Sequence, residues 1–206
     1  QYGNFYRNFW GELAEKAVAV SVERFGFPFI VKVPDQGSSC GVFKVKDKSS
    51  ALFAFKEIYK TSSTLIVEDC VEGLEVSCGV LESNGIAKAL TPTAIIPEKS
   101  DFFDMASKYE SGGASEITPA PLPDEVTEMV RKTALEAHKC LGCLIYSRTD
   151  MIIKDEVIFV LETNTLPGFT KTSLLPQNAA ASGIEYKTLL SQIVNESIEG
   201  FSGHKV

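Results

Sequence analysis

Two β-prone runs, Cys143 to Ile153 and Val157 to Thr163, are separated only by Lys154-Asp155-Glu156. A connection that short joins antiparallel neighbours, because parallel strands need a crossover of a dozen or more residues. The same pattern recurs upstream. Phe29 to Val33 and Val42 to Val45 read as a hairpin around Pro34 to Gly41, and residues 75–82 and 86–96 as strands joined through Ser83-Asn84-Gly85, where Asn-Gly is a strong turn signal. Leu65-Ile66-Val67-Glu68 reads as one more, buried, strand.

Helices fill the intervals. Leu13, Ala14, Ala17, Val18, Val22 and Phe25 fall at helical spacing over residues 11–25 and stop at Gly26. Ser49 or Ser50 is placed to cap a helix through Tyr59, and Asp124 to Leu141 carries one apolar stripe with acids leading and basic residues following. Tyr186 to Ile198 reads as a last helix, while residues 98–123, with Ser111-Gly112-Gly113 and Pro119, Pro121 and Pro123, read as a long loop of the lid kind. With no internal repeat, this mixture of hairpins and helices is an α+β fold.

A chain of 206 residues, 44% of them hydrophobic, has material for a core; at this length about 70% of the unfolded surface is buried. Twenty Lys and Arg against 27 Asp and Glu give a net charge of −7, which argues against a broad basic face for nucleic acid or an anionic membrane. No stretch approaches the roughly 20 apolar residues of a membrane span. The five Cys, at 40, 70, 78, 140 and 143, are odd in number and lie in or beside apolar runs, as free thiols in a reducing, cytoplasmic compartment do. Cys140-Leu141-Gly142-Cys143 has the spacing of a redox or zinc pair, but without a second pair or a histidine cluster it reads as structural. His138 and His204 are the only histidines, which leaves few candidates for triad chemistry.

Three groups of residues carry chemistry. Lys32 precedes the small-residue tip Gly37-Ser38-Ser39-Cys40-Gly41, whose backbone N–H groups can approach an anion; the same residues also read as a polar hairpin tip with an edge lysine. In a strand, residues two apart share a face, so Arg148 and Asp150 point one way together, as do Glu162 and Asn164 on the partner strand. Two carboxylates and an amide oxygen suit magnesium with substrate phosphates, and an arginine beside them can neutralise charge developing on a transferred group. The loop Leu166 to Leu174 follows directly, with Gly168 permitting close backbone approach and Ser173 able to donate to a carboxylate. Glu68 and Glu75 could accept from adenine or ribose, and read equally as solvated surface acids.

Taken together these residues resemble the ATP-grasp carboxylate-amine ligases, and within them the D-alanine–D-alanine ligase family. The matching pieces are Val31-Lys32 with Gly37 to Gly41, Val67-Glu68 through Gly73-Leu74-Glu75-Val76, Lys108-Tyr109, Leu141-Gly142-Cys143 with Arg148-Thr149-Asp150, and Glu162 through Thr170. They run over residues 24–198. The resemblance implies an ATP-grasp fold of antiparallel sheets with flanking helices, binding nucleotide between two subdomains, here residues 1–100 and 101–206. It implies ATP-dependent joining of two D-alanines through an acyl phosphate, for peptidoglycan precursors, by a cytoplasmic protein that forms homodimers and uses two Mg2+ or Mn2+ ions. By position, Lys32, Ser39 and Lys108 would hold phosphates, while Glu68, Asp69, Val71 and Glu75 would surround adenine and ribose. Asp150, Glu162 and Asn164 would hold the metal ions, and Arg148 with the Gly168 N–H would form the oxyanion site. Ser173 and Leu174 would receive the second substrate's carboxylate, and Ser38 and Tyr109 would join the network that closes the loop. Tyr109 stands where depsipeptide-forming members tend to carry Phe, which favours D-alanine as second substrate.

The chain departs from the family at Met105-Ala106-Ser107, where Tyr-Glu-Ala is usual, and at Val33, where Pro is usual. It has no counterpart of the family's N-terminal domain, so the expectation is a C-terminal portion of such a ligase. A ligase for D-serine or D-lactate, or an inactive nucleotide-binding fragment, are the alternatives.

Overall fold

The computed structural model describes residues 2–34, 41–97 and 114–203, with side chains over 12–34, 41–97 and 114–198. They pack as two units, one reaching to Cys70 and the other made of Val71–Ile96 and Ser115 onward.

In the first unit, α1 (Tyr2–Phe25) leads into β1 (Phe29–Lys32), β2 (Val42–Val45), α2 (Lys48–Ile58) and β3 (Ile66–Asp69). β1 is the central strand, antiparallel to both neighbours, with Phe29 opposite Val45 on one side and Asp69 on the other. Phe29, Val31 and Val45 are fully buried with Ala14 and Val18 of α1 and Ala51, Ala54 and Phe55 of α2, so the apolar helix stripes meet the sheet as their spacing dictates. α1 ends where Gly26, at φ +67°, turns its N–H back to Val22 O. The cap of α2 is Asp47 rather than Ser49 or Ser50: its carboxylate accepts from Ser50 N–H at 2.8 Å while Ser50 Oγ accepts from Asp47 N–H, a reciprocal capping box. β3 is an edge strand with Ile66 39% exposed, not the buried strand expected from its composition.

In the second unit, β4 (Leu74–Ser83), β5 (Ile86–Ala89), β6 (Thr93–Pro97), β7 (Ala114–Ile117), β8 (Tyr146–Lys154) and β9 (Val157–Asn164) form a sheet in the order β7-β6-β4-β8-β9, with β5 also on β4. The helices are α3 (Asp124–Cys140), α4 (Leu174–Ala181) and α5 (Tyr186–Gly203). β4 is buried on both faces: Val76, Cys78 and Val80 pack with Val130 and Ala134 of α3, while Leu81 packs with Leu175 and Ala179 of α4. α4 comes so close that a Cβ on Gly79 would lie 2.4 Å from Leu175 Cδ1, and Asn178 fixes it there by accepting from Gly79 N–H and donating to Thr93 Oγ1.

Both tight hairpins use left-handed turn pairs, Asn84 and Gly85 (φ 50° and 71°) and Asp155 and Glu156 (φ 50° and 64°), the twist that suits two-residue loops. Residues 86–96 are two strands, because β5 pairs the second half of β4 and the chain then leaves at Thr91-Pro92 to pair its first half as β6. The stretch expected to be loop from 98 to 123 contains β7, and α4 is a helix where only a turn was foreseen. β4 to β6 pack in the second unit although the partition at 100 put them with the first; the long antiparallel ladder between β4 and β8 ties them there.

Candidate active site

Antiparallel pairing sets Arg148 opposite Asn164 and Asp150 opposite Glu162. That register depends on an irregularity. Past Asp150 the partner of Met151 is Val160, so Leu161 is an extra residue in β9. In a regular strand Ile158, Val160, Glu162 and Asn164 would all share one face. The bulge instead leaves Ile158 and Val160 on the face of Met151, which packs with α3, and turns Glu162 and Asn164 to the opposite face with Asp150.

Arg148 grips Asp150 with two bonds, Nε to Oδ1 at 2.9 Å and Nη2 to Oδ2 at 2.7 Å. Ser77, fully buried on β4 and directly opposite Asp150, donates to Oδ1 at 2.6 Å. Asn164 Nδ2 donates to Asp150 Oδ2 at 3.0 Å and to Glu162 Oε1 at 3.3 Å. The side chains of Arg148 and Asp150 are only 14% and 8% exposed. Burial works against the Arg148 charge, but the bond and charge of Asp150, then Glu162 and Glu116, outweigh it and hold the guanidinium pKa above its ordinary value.

This donor set fits a divalent cation. The Asn164 amide nitrogen already occupies a point within reach of both carboxylates, and the amide turned over would offer its oxygen there. Asp150, Glu162 and Asn164 carry hard oxygen atoms on one face of one hairpin.

The following loop is drawn onto the same unit. Tyr186 OH donates to Phe169 O at 2.6 Å, and the Phe169 ring meets Tyr146 edge-on at 5.1 Å. A Cβ on Gly168 would lie 3.0 Å from Ser173 Oγ, so these two residues are neighbours. Ser173 precedes α4, but its hydroxyl takes the Thr170 N–H and does not cap the helix, which leaves the opening N–H groups of α4 available to an anion. Leu174 is the first residue of that helix.

In the first unit Lys32 pairs with Glu68 at 2.8 Å, with Asp69 next to it at the exposed end of β3. Val71 and Glu75 belong to the second unit, Glu75 on β4. Ser38, Ser39, Lys108 and Tyr109 lie outside the described residues. Cys78, Cys140 and Cys143 are free thiols, and among the described residues no group of three His, Cys, Asp or Glu side chains forms a metal site. Ser77, Gln177 and Glu116 are polar residues of this region not anticipated from sequence. A serine within the apolar run of β4 was a legible signal, since a hydroxyl there needs a partner.

A sheet presenting an arginine, two carboxylates and an amide on one face, followed by a glycine-containing loop and a helix N-terminus, defines a protein of the ATP-grasp type. A family profile described as D-ala D-ala ligase C-terminus matches residues 1–195, and the chain belongs to that family. It is 41% identical over 186 residues to a D-alanine–D-alanine ligase of Nitratidesulfovibrio vulgaris strain DP4, covering 90% of this chain and 60% of that protein. To the ligase of Oleidesulfovibrio alaskensis it is 45% identical over 171 residues, covering 82% and 54%. Among solved structures, the D-alanine–D-alanine ligase of Bacillus anthracis complexed with ATP superposes with a TM-score of 0.72 at 34% identity, covering 86% of this chain and 55% of that one. The chain thus spans little more than half the length of these relatives.

Proposed function

We propose that the protein carrying this chain joins two D-alanines at the expense of ATP, releasing ADP and phosphate, and so supplies peptidoglycan precursors in the cytoplasm as a homodimer. The observation that carries this reading is the Arg148–Asp150–Glu162–Asn164 cluster, set in a chain 41% identical to a ligase of that name. Asp150, Glu162 and Asn164 hold the Mg2+ or Mn2+ ions, which when bound neutralise the phosphates during transfer. Lys32, with Ser39 and Lys108, holds ATP phosphates, and Glu68, Asp69, Val71 and Glu75 take the adenine and ribose.

The first D-alanine carboxylate takes the γ-phosphoryl group and becomes an acyl phosphate. The α-ammonium of the second gives up one proton to become the free amine, which attacks the carbonyl; the tetrahedral intermediate loses a second proton and expels phosphate, leaving the amide. Arg148 and the Gly168 N–H stabilise the oxyanion of the tetrahedral intermediate. Arg148 suits this task because its pairing with Asp150 fixes the guanidinium plane beforehand. Ser173 and the start of α4 receive the second carboxylate, and Ser38 and Tyr109 help exclude the water that would hydrolyse the acyl phosphate. The test is phosphate release from ATP by the intact protein, with and without D-alanine. D-alanine-dependent release is expected, and its absence from folded protein rejects the assignment.

A further inference from the structure

Glu116, exposed on β7, has no part in the scheme above. Its Oε2 accepts from Gln177 Nε2 at 2.6 Å, and the same nitrogen donates to Thr172 O at 2.8 Å. Gln177 is itself anchored in the first turn of α4, its N–H bonded to Ser173 O. One amide therefore ties the Glu116 carboxylate to the segment that ends in Ser173. Asp150 and Glu162 are engaged by Arg148 and Asn164 and are the metal ligands of the scheme. Glu116 is bonded to a neutral amide and keeps a negative charge open to solvent beside the acceptor segment.

An amino-acid acceptor arrives as a zwitterion, with an anionic and a cationic group on one carbon. The start of α4 at Ser173 and Leu174 offers the positive end of a helix to the first. We infer that Glu116 is a specificity-determining residue that binds the α-ammonium group of the second substrate. This rests on the ligase assignment above and deepens it: the acceptor is recognised as an amine by charge. Gln177 is then a positioning residue, holding the carboxylate toward the Ser173 segment.

The experiment separates charge from tether and acceptor from donor. In Glu116→Gln the side-chain oxygen can still accept from Gln177, so only the charge is lost. Glu116→Asp keeps the charge. In the intact protein, ligation of D-alanine is measured beside D-alanyl hydroxamate formation, in which hydroxylamine, neutral at working pH, traps the acyl phosphate in place of the acceptor. The expected result for Glu116→Gln is an acceptor KM raised about tenfold or more, as for loss of a charge-assisted contact. Hydroxamate formation falls far less, so the ratio of the two reactions shifts, and Glu116→Asp restores most of it. An unchanged ratio in Glu116→Gln, or an equal fall in both reactions, overturns the inference. Parent protein that forms no hydroxamate from ATP and D-alanine rejects the ligase assignment itself, a different outcome from either.

Discussion

Removing the Asp150 carboxylate should cost more than removing it together with its partner. Four hydrogen bonds end on that carboxylate, two from Arg148, one from Ser77 and one from Asn164. In Asp150→Ala the Arg148 guanidinium, 14% exposed, keeps its charge and loses both bonds. Breaking one side of a buried pair costs about 3–5 kcal/mol, because the surviving charge is stranded away from water. Glu162, on the same face, can partly replace the lost carboxylate, which puts the expectation at the lower end, about 3 kcal/mol. For a chain of this size each kcal/mol moves Tm by roughly 2–4 °C, so a fall of about 6–12 °C follows. In Arg148→Met/Asp150→Leu neither charge remains, and apolar residues in place of a buried pair are often neutral or better. Urea and thermal unfolding followed by circular dichroism would measure all three proteins. If Asp150→Ala costs under about 1 kcal/mol, or if the double variant is less stable than Asp150→Ala, the pair does not behave as a buried, mutually dependent one.

Gly73→Ala should destabilise the second unit by about 3 kcal/mol or more, since its Cβ would lie 2.2 Å from the backbone oxygen of Ile153 and the β4–β8 ladder would have to open; urea unfolding would show it. Cys78, buried and with its thiol pushed up to about 12 chiefly by that burial, should resist Ellman's reagent in native protein while exposed Cys140 reacts, and mass spectrometry would identify the labelled thiols. Asp47 has its pKa lowered from 3.8 to about 2, first by the Ser50 N–H and then by the Ser49 and Ser50 hydroxyls. A carboxyl lowered on folding stabilises the native state above its unfolded pKa and loses that contribution as pH falls through the folded one. The stability of α2 should therefore drop between about pH 4 and 2, and Asp47→Ala should remove that slope in an acid titration followed by circular dichroism.

Much of the fold was readable because local chemistry and tertiary packing agree. Asn84-Gly85 adopts the left-handed pair that its residues favour, and the α3 stripe packs through Val130 and Ala134 as spaced. Where the reading fell short, the causes are specific. Tyr2, Phe5, Tyr6, Phe9 and Trp10 recur at helical spacing, yet the first helix was started only at residue 11. Ser49 and Ser50 were read as the caps of α2, whereas the cap is Asp47, held by a reciprocal bond with Ser50.

Arg148 with Asp150 and Glu162 with Asn164 were read as sharing faces, and the structure brings the four side chains together on β8 and β9, but their place relative to the apolar residues of β9 was beyond the reach of period counting. Ile158, Val160, Glu162 and Asn164 have one parity, and only the extra residue Leu161 sets the apolar pair on the face of Met151 and the polar pair on the face of Asp150. A bulge leaves no mark in the sequence when the inserted residue is a leucine among other apolar residues. Ser77 and Glu116 escaped notice for a related reason: each is bonded to a partner far along the chain, Asp150 and Gln177 respectively.

The central claim is that the β8–β9 hairpin holds the metal ions that accompany ATP. Its most direct test is calorimetric titration of the intact protein with ATP, in the presence and absence of Mg2+, beside Glu162→Gln. That substitution removes one ligand charge from an exposed residue and leaves the Arg148–Asp150 pair in place. The account predicts magnesium-dependent ATP binding that weakens at least about tenfold in Glu162→Gln, as expected when a charged ligand of a hard cation is neutralised. Binding of equal strength in both proteins, or binding indifferent to Mg2+, would contradict it.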